Sequence, residues 1–429
     1  MGERTVKIVF NAMVKNESKI ILRMLESVYK YIDYWVIQDN GSTDGTQQLI
    51  NGFFKEKNIP GFLYYEPWQY PGYNRNHTLQ RCLQAPHNCE YVLRLDADEV
   101  LEVDDDFNWE ELRNGDEVYV YSIQRDVTIS RPWIWKADLD WEYTQSRRHE
   151  ILIRKSRQPY RIYYLSNKLR QIMLPGGNTW ENPFKYFIDS IELEQQVIKY
   201  QFKDKSDVDY DINTYYVWYL AKSYIDFLED CKNKKAVPFF GKEHEVEMAR
   251  RGIFYFKKYL DMKLDVNLNE SLSNVYSKEY LNMKGCINEM AYNALLYIGY
   301  LNLRYVDVNE GILFLNKTYE FDHLRNESLM HLINHYKSVN NIKMAYKYSS
   351  IAIKNLYPGH IRDFFLEKVC YPDTSYYLYD LHSLLSHQLG YNEEAKTTCK
   401  KLIDNIQLVP ESERNRIENN YKVFCDSVK

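Results

Sequence analysis

Tyr91-Val-Leu-Arg-Leu-Asp-Ala-Asp-Glu99 is an apolar stretch that runs straight into an Asp-x-Asp turn. Residues 91–95 read as a short strand buried on both faces, with Asp96 and Asp98 at its carboxyl end. Upstream, Val6-Lys-Ile-Val-Phe-Asn-Ala-Met13, Trp35-Val-Ile-Gln-Asp39 and Phe62-Leu-Tyr-Tyr65 read as three further strands. Between them, Ser18 to Tyr31 places Ile20, Ile21, Met24, Leu25 and Val28 at helical spacing, and Gln47–Lys57 and Asn76–Leu83 read as helices. This βαβαβαβ rhythm predicts an α/β domain with a mostly parallel central sheet and helices on both faces. In such sheets ligands sit beyond the carboxyl ends of the strands. The polar segments after strands one, two and four lie there.

Composition bounds the rest. The chain has 429 residues, enough for two or three domains. Gly (16) and Pro (12) together are about half the usual share, which excludes collagen-like and Pro/Gly-rich disordered chains. Aromatic residues make up 15%, ample material for a large core. A formal net charge of −5 with no basic tail argues against nucleic acid as a partner. No apolar run approaches the ~20 residues of a transmembrane span, and the first residues lack the apolar stretch of a secretory signal. Seven scattered cysteines without a Cys-x-x-Cys pair point to free thiols and a cytoplasmic protein.

From Val118 to Met173 the pattern is strand-rich and aromatic, and Trp133, Trp135 and Trp141 read either as core or as platforms for a sugar ring. The charged stretch Lys203–Asp211 marks the expected boundary between a domain at 1–205 and one at 206–429. Beyond it the periodicity is helical. A frame of Leu295, Ile298, Gly299, Asn302, Gly311 and Leu315 returns 34 residues later as Leu329, Leu332, Ile333, Tyr336, Ala345 and Ser349. Tyr379–Ile403, with Ala395 as its small residue, reads as a third unit displaced by an insertion at 357–371. Thr214–Tyr224 and Glu245–Leu260 read as an earlier pair. The spacing resembles the tetratricopeptide repeat (TPR), although that repeat's Trp and Pro marks are largely missing. An irregular helical bundle is the plainer alternative.

Two carboxylates at i and i+2 after a buried strand can share a divalent cation with a phosphate-bearing ligand. Mg²⁺ or Mn²⁺ held there would neutralise charge on a departing diphosphate. Asp-x-Asp alone is a common solvated turn. Here it follows Met13-Val-Lys-Asn-Glu17, Asp39-Asn-Gly-Ser-Thr-Asp-Gly-Thr46 and Arg75-Asn76, in that order. Together these motifs resemble a family 2 glycosyltransferase of GT-A fold, and the helical tail is similar to a TPR-bearing subgroup of it. Neither a Gly-x-x-x-x-Gly-Lys nor a Gly-x-Gly-x-x-Gly motif is present, which removes P-loop ATPase and dinucleotide oxidoreductase readings.

The resemblance implies an enzyme of the hexosyl- or N-acetylhexosaminyl-transferase class. It would move a sugar, with inversion, from a nucleotide-diphosphate donor such as a UDP-sugar to a hydroxyl of a glycan, protein or lipid. Val14, Lys15, Asn16 and Glu17 would border the nucleobase, and Asp39 and Asn40 would contact uracil or ribose. The family often has Asp where Asn40 stands. Arg75 would lie near the diphosphate, Asp96 on the ribose or metal side, and Asp98 on the metal. Asp44 reads more simply as a helix cap. The helical domain would bind acceptor, a protein partner or a second subunit.

An inverting transferase needs a base for the acceptor hydroxyl. In similar sequences a His-Glu pair follows an Arg-rich strand, and Arg147-Arg-His-Glu150 stands here; the later position near Ser166–Lys168 has no carboxylate. Glu150 is the first choice and Asp140 the second, ahead of Asp138, Glu142, Glu181 and Asp189. The basic run Arg147, Arg148, Arg154, Arg157 and Arg161 reads as a solvated face, or as a contact for an acceptor phosphate or the diphosphate. Two rivals stand beside this reading: a non-catalytic helical-repeat scaffold carrying a degenerate transferase domain, and a nucleotidyltransferase. The latter tends to need a Gly-rich loop that residues 12–16 do not supply.

Overall fold

A computed structural model describes residues 5–84, 88–124, 127–176, 185–199, 210–234, 241–264, 285–323, 325–354 and 374–428. The chain forms two compact units, residues 1–239 and 240–429 apart from a short exchange at 364–367.

The first unit is built on the expected alternation. Strand β1 (Ile8–Val14) pairs in parallel with β2 (Tyr34–Asp39) and β4 (Tyr91–Arg94), and β2 with β3 (Gly61–Tyr65). Helices α1 (Ile21–Val28), α2 (Thr46–Glu56) and α3 (Pro71–Leu83) connect them. Strand β1 sorts its side chains by the two-residue period. Ile8, Phe10 and Ala12 join a core with Met24, Leu25, Ile50 and Phe54 of α1 and α2, whereas Val9 points to the other face with Leu79 and Cys82 of α3. Both faces are therefore covered, as a parallel sheet requires.

Helix α3 starts five residues before the expected Asn76, because Pro71 occupies its first turn, where a missing N–H costs nothing. Five further described strands extend the sheet: β5 (Glu99–Val103), β6 (Glu117–Gln124), β7 (Val127–Lys136), β10 (Ile162–Tyr164) and β11 (Leu169–Met173). The order is β3-β2-β1-β4-β7-β6-β11-β5, with β10 on β6; β7 is antiparallel to β4 and β6, and β5 to β11. Strands β8 (Trp141–Tyr143) and β9 (Leu152–Arg154) form a separate hairpin-like pair. Trp133, Trp135 and Trp141 are 4%, 0% and 2% exposed, so the three tryptophans are core and not sugar platforms.

Helices α4 (Lys185–Lys199) and α5 (Tyr210–Lys234) pack together within the first unit. Tyr216 of α5 hydrogen-bonds Thr144, and the Tyr219 ring lies 4.3 Å from the His149 ring, tilted by 33°. Residues 203–209 of the charged stretch 203–211, expected as the domain boundary, lie outside the described residues; α5 belongs to the first compact unit, so the units divide later in the chain than that stretch.

The second unit is helical. Its described helices are α6 (Lys242–Leu264), α7 (Gly285–Leu301), α8 (Val308–Phe321), α9 (Glu327–Ser338), α10 (Ile342–Lys354), α11 (Thr374–Gln388), α12 (Asn392–Ile403) and α13 (Glu411–Asp426). Successive helices α6 to α10 and α11 to α13 pack in sequence. Helices α8 and α10 begin at Val308 and Ile342, 34 residues apart, and Ala345 and Ala395 are fully buried. The expected insertion at 357–371 lies outside the described residues. The early pair expected from Thr214–Tyr224 and Glu245–Leu260 is not formed within one unit. Val217, Trp218, Ala221 and Leu228 bury α5 in the first unit, whereas α6 packs on α7 in the second.

Candidate functional site

The carboxyl ends of β1, β2 and β4 lie side by side. Val14 is in register with Asp39, and the Asn40 N–H donates to the Val14 carbonyl at 2.9 Å. The loop after β1 is stapled to the loop after β2. The Asn16 amide oxygen accepts from the Thr43 N–H at 2.8 Å, the Glu17 N–H donates to Thr46 Oγ1 at 2.9 Å, and the Ser18 N–H donates to Asp44 Oδ2 at 2.9 Å. Asp44 Oδ1 also accepts from the Thr46 N–H at 3.1 Å, but the N-cap of α2 is Gly45, so Asp44 stands one residue before the expected cap position.

Asp39 is buried beneath its own turn. Its carboxylate accepts from the N–H groups of Gly41 and Ser42 at 3.1 Å and from Gln47 Nε2 at 2.6 Å. Asn40 donates to the Glu66 carbonyl at 2.8 Å, and the Glu66 N–H donates to the Asp39 carbonyl at 3.0 Å. The segment after β3 is thereby fixed to the turn after β2.

The centre of the site is Arg75. From the second turn of α3 it donates through Nη2 to Asp96 Oδ1 at 2.9 Å and through Nε to Glu150 Oε1 at 2.7 Å. Arg94, the last residue of β4, donates to Asp96 Oδ2 at 3.1 Å. Burial alone would raise the Asp96 carboxyl, but Arg75 and Arg94 hold it well below the usual carboxylate range. The Asp96 N–H donates to Glu99 Oε2 at 2.8 Å, and Glu99 is pushed up to about 8 by burial and by the Asp96 charge. Glu17 is likewise pushed up to about 7, first by burial and then by Asp98, Asp44 and Asp96. Negative charge is therefore in excess between Glu17 and Asp98.

That excess, with hard oxygen donors on a turn, fits Mg²⁺ or Mn²⁺. Among the described residues no three or more His, Cys, Asp or Glu side chains form a ready cage. The fit is thus to an ion that takes most of its oxygens from a substrate. Both oxygens of Asp96 are engaged by arginines.

Glu150 reaches this cluster although it is 75 residues from Arg75 in sequence. A close backbone approach makes it possible: the Gly72 N–H donates to the Ser146 carbonyl at 3.0 Å, and a Cβ on Gly72 would lie 2.2 Å from the Thr144 carbonyl oxygen. Asn76 clamps the same region by donating to the Tyr143 carbonyl and accepting from the Tyr143 N–H.

The other base candidates have different surroundings. Asp140 lies at the β8–β9 pair, bound to Arg154 and to the Ser156 N–H at 2.6 Å, which hold its carboxyl down at about 2 against the opposing effect of desolvation. Asp189 pairs with Arg148 at 2.8 Å, and Asp138 with Lys136 at 3.5 Å. Glu142 lies on β8, and Glu181 is outside the described residues. Sequence reasoning quoted Arg94 and Glu99 without giving them work, and it passed over the segment Pro67-Trp-Gln-Tyr-Pro71, whose two prolines bracket an exposed Trp68.

Residues 13–171 match the family described as "Glycosyl transferase family 2". The lipopolysaccharide core biosynthesis glycosyltransferase LpsC of Rhizobium meliloti (strain 1021) is 29% identical over 164 residues, 38% of this chain. The chain spans about half the length of that relative, 55% of it. Among solved structures, S. aureus TarS 1-349 in complex with UDP covers 73% of this chain and 91% of its own, at 13% identity and a TM-score of 0.31. MamA covers 52% of this chain and 90% of its own, at 13% identity and a TM-score of 0.30. Among the described residues no helix is long and apolar enough to cross a membrane.

Proposed function

We propose, from the premise that residues 13–171 are a family 2 glycosyltransferase domain, that this chain moves a sugar from a nucleotide-diphosphate donor to an acceptor hydroxyl with inversion at the anomeric carbon. The observation that carries the reading is the bridge made by Arg75 between Asp96 and Glu150. One buried guanidinium ties a donor-side carboxylate to an acceptor-side carboxylate at the strand ends.

The donor base and ribose would lie along residues 14–17 and the turn at Asp39 and Asn40. A UDP-sugar is the donor that the resemblance of these segments favours. Asp39 shapes that turn, which supports a positioning role beside any direct contact. Asp96, kept ionised by Arg75 and Arg94, is suited to accept from a ribose hydroxyl. Asp98, with Glu17 beside it, would hold Mn²⁺ or Mg²⁺. When bound, that ion supplies Lewis-acid stabilisation of the leaving diphosphate.

Glu150 would take the proton of the acceptor hydroxyl as its oxygen bonds to the anomeric carbon and the bond from that carbon to the diphosphate breaks. The Arg75 contact fixes the orientation of Glu150 while the reaction proceeds. A hexosyl or N-acetylhexosaminyl group is the proposed cargo. The helical unit is proposed as a TPR-like surface for acceptor or partner protein, supported by the 34-residue spacing of α8 and α10. A cytoplasmic location is part of the proposal, in keeping with the free thiols of Cys82, Cys399 and Cys425 among the described residues.

The test is a panel of UDP-, GDP- and dTDP-sugars screened for thermal stabilisation with and without Mn²⁺. A ligand that binds the folded chain alone raises the apparent melting temperature by mass action. Stabilisation by one nucleotide class, larger with Mn²⁺, is expected. No response to any donor would remove the reading.

A further inference from the structure

Of the basic run at 147–161, most members are spent. Arg148 pairs with Asp189 and Glu192, Arg154 with Asp140, and Arg161 with Asp116. Arg147 differs. It is exposed, its guanidinium lies 5.8 Å over the Tyr70 ring, and among the described residues no carboxylate pairs with it.

The loop that carries it is held on both sides. Ser146, 1% exposed, gives its carbonyl to the Gly72 N–H and its hydroxyl to Gln196 at 2.8 Å; Glu150 is gripped by Arg75. Tyr70 donates from its hydroxyl to Gln145 Oε1 at 3.0 Å, joining this loop to the segment after β3.

That segment is equally fixed. Asn74, fully buried, donates to the Pro67 carbonyl at 3.1 Å and accepts from the Gln69 N–H at 2.9 Å. Trp68 is therefore pinned on both flanks, yet its side chain is 46% exposed. Such a mount presents the indole in a fixed place, and its apolar face suits a sugar ring. Through Glu66 the segment starts at the Asp39–Asn40 turn, and through Pro71 it ends in the helix that carries Arg75.

We propose that Trp68, Tyr70 and Arg147 form the acceptor subsite, and that the acceptor is a saccharide carrying an anionic substituent, phosphate or carboxylate. The inference rests on the glycosyl-transfer reading above and specifies its acceptor. Trp68 takes a sugar ring, and Arg147, steadied on Tyr70, takes the anion with charge-assisted hydrogen bonds.

The test uses the full chain saturated with UDP, so that any diphosphate site is filled, and titrates glucose, glucuronate and glucose 6-phosphate by calorimetry. Both anionic sugars are expected to bind more tightly than glucose. If glucose 6-phosphate alone is preferred, the anion is a phosphate; if glucuronate does as well, a carboxylate suffices. Arg147→Gln should weaken the anionic sugars about 10–100-fold and leave glucose and UDP unchanged. Trp68→Ala should weaken all three sugars and leave UDP unchanged. Equal affinity for the three sugars, no binding of any of them, or a loss of UDP affinity in Arg147→Gln overturns the inference; the last outcome assigns Arg147 to the donor diphosphate. Failure of UDP itself to bind the wild-type chain counts against the glycosyl-transfer reading instead.

Discussion

Arg75 donates through Nε to Glu150 Oε1 at 2.7 Å, and both side chains are nearly withdrawn from water, at 9% and 12% exposure. A buried pair of this kind loses about 3–5 kcal/mol when one partner is removed, because the other charge is left uncompensated. Glu150→Gln keeps an oxygen for Arg75 but can no longer take a proton. Turnover should fall about 10²–10⁴-fold, with donor affinity close to wild type and a melting temperature lowered less than in Glu150→Ala, since Gln keeps the hydrogen bond but not the charge that faces Arg75. Glu150→Ala should lower both turnover and stability. Steady-state kinetics beside thermal unfolding of the two variants separates the roles, and an unchanged turnover in Glu150→Gln would take the base assignment away from this residue.

Asp98 lies in the turn between β4 and β5 and adds to the charge that pushes up Glu17. Asp98→Ala should abolish the Mn²⁺-dependent part of donor binding while the chain still unfolds cooperatively near the wild-type temperature. Glu17 should also ionise at lower pH once that neighbouring charge is gone. Donor titrations with Mn²⁺ and with EDTA decide the matter: equal binding and transfer by wild type in both would exclude a metal role for Asp98.

The sheet was legible because the apolar runs at 6–13, 35–39, 62–65 and 91–95 are each short and closed by polar turns, and all but the edge run at 62–65 are largely buried. That alternation put Asp39, Asp96 and Asp98 at strand ends, whereas Arg75 and the roles of all four came from the family resemblance. The Arg75–Glu150 contact could not be read this way, because it joins α3 to a loop beyond five intervening strands. No local period encodes such a pairing. The nearest signal was Gly72 directly after Pro71, a residue without Cβ at a helix start where another backbone approaches. Tryptophan density misled for a related reason. Trp133, Trp135 and Trp141 lie on strands that bury them, whereas the exposed Trp68 lies in the short segment between Pro67 and Pro71. The charged stretch at 203–211 read as a boundary by composition, but the apolar face of α5 groups with the first unit.

In the helical unit the 34-residue frame put Gly311 and Ala345 at matched positions. A Cβ on Gly311 would lie 2.4 Å from the Leu303 backbone nitrogen, so the neighbour that must yield is main chain. Gly311→Ala should therefore destabilise this unit despite the better helix propensity of Ala, by about 1–3 kcal/mol or more. Ala345→Val, at a fully buried position, should cost about 1–3 kcal/mol as well. Urea unfolding followed by far-UV circular dichroism, beside nucleotide titration, checks both. Gly311→Ala as stable as wild type would mean that α8 does not approach Leu303 as described.

Glu117 opens β6 opposite Trp135, is 3% exposed, and is pushed up from 4.5 to about 7 by burial, against a smaller opposing effect from a Tyr160 hydrogen bond. In the unfolded chain it ionises near 4.5, so between that pH and about 7 the folded state holds more protons than the unfolded one. Stability from this group is thus fully present below pH 4.5 and is lost as pH rises through 7. The swing corresponds to about 3 kcal/mol. Glu117→Gln is neutral throughout and lacks this slope. Its stability relative to wild type should improve steadily from pH 4.5 to 7.5 and then level off. Denaturant unfolding of both proteins across that range reads the difference directly. Parallel curves would show that Glu117 remains ionised in the folded chain, with a cation or water reaching it beneath the sheet.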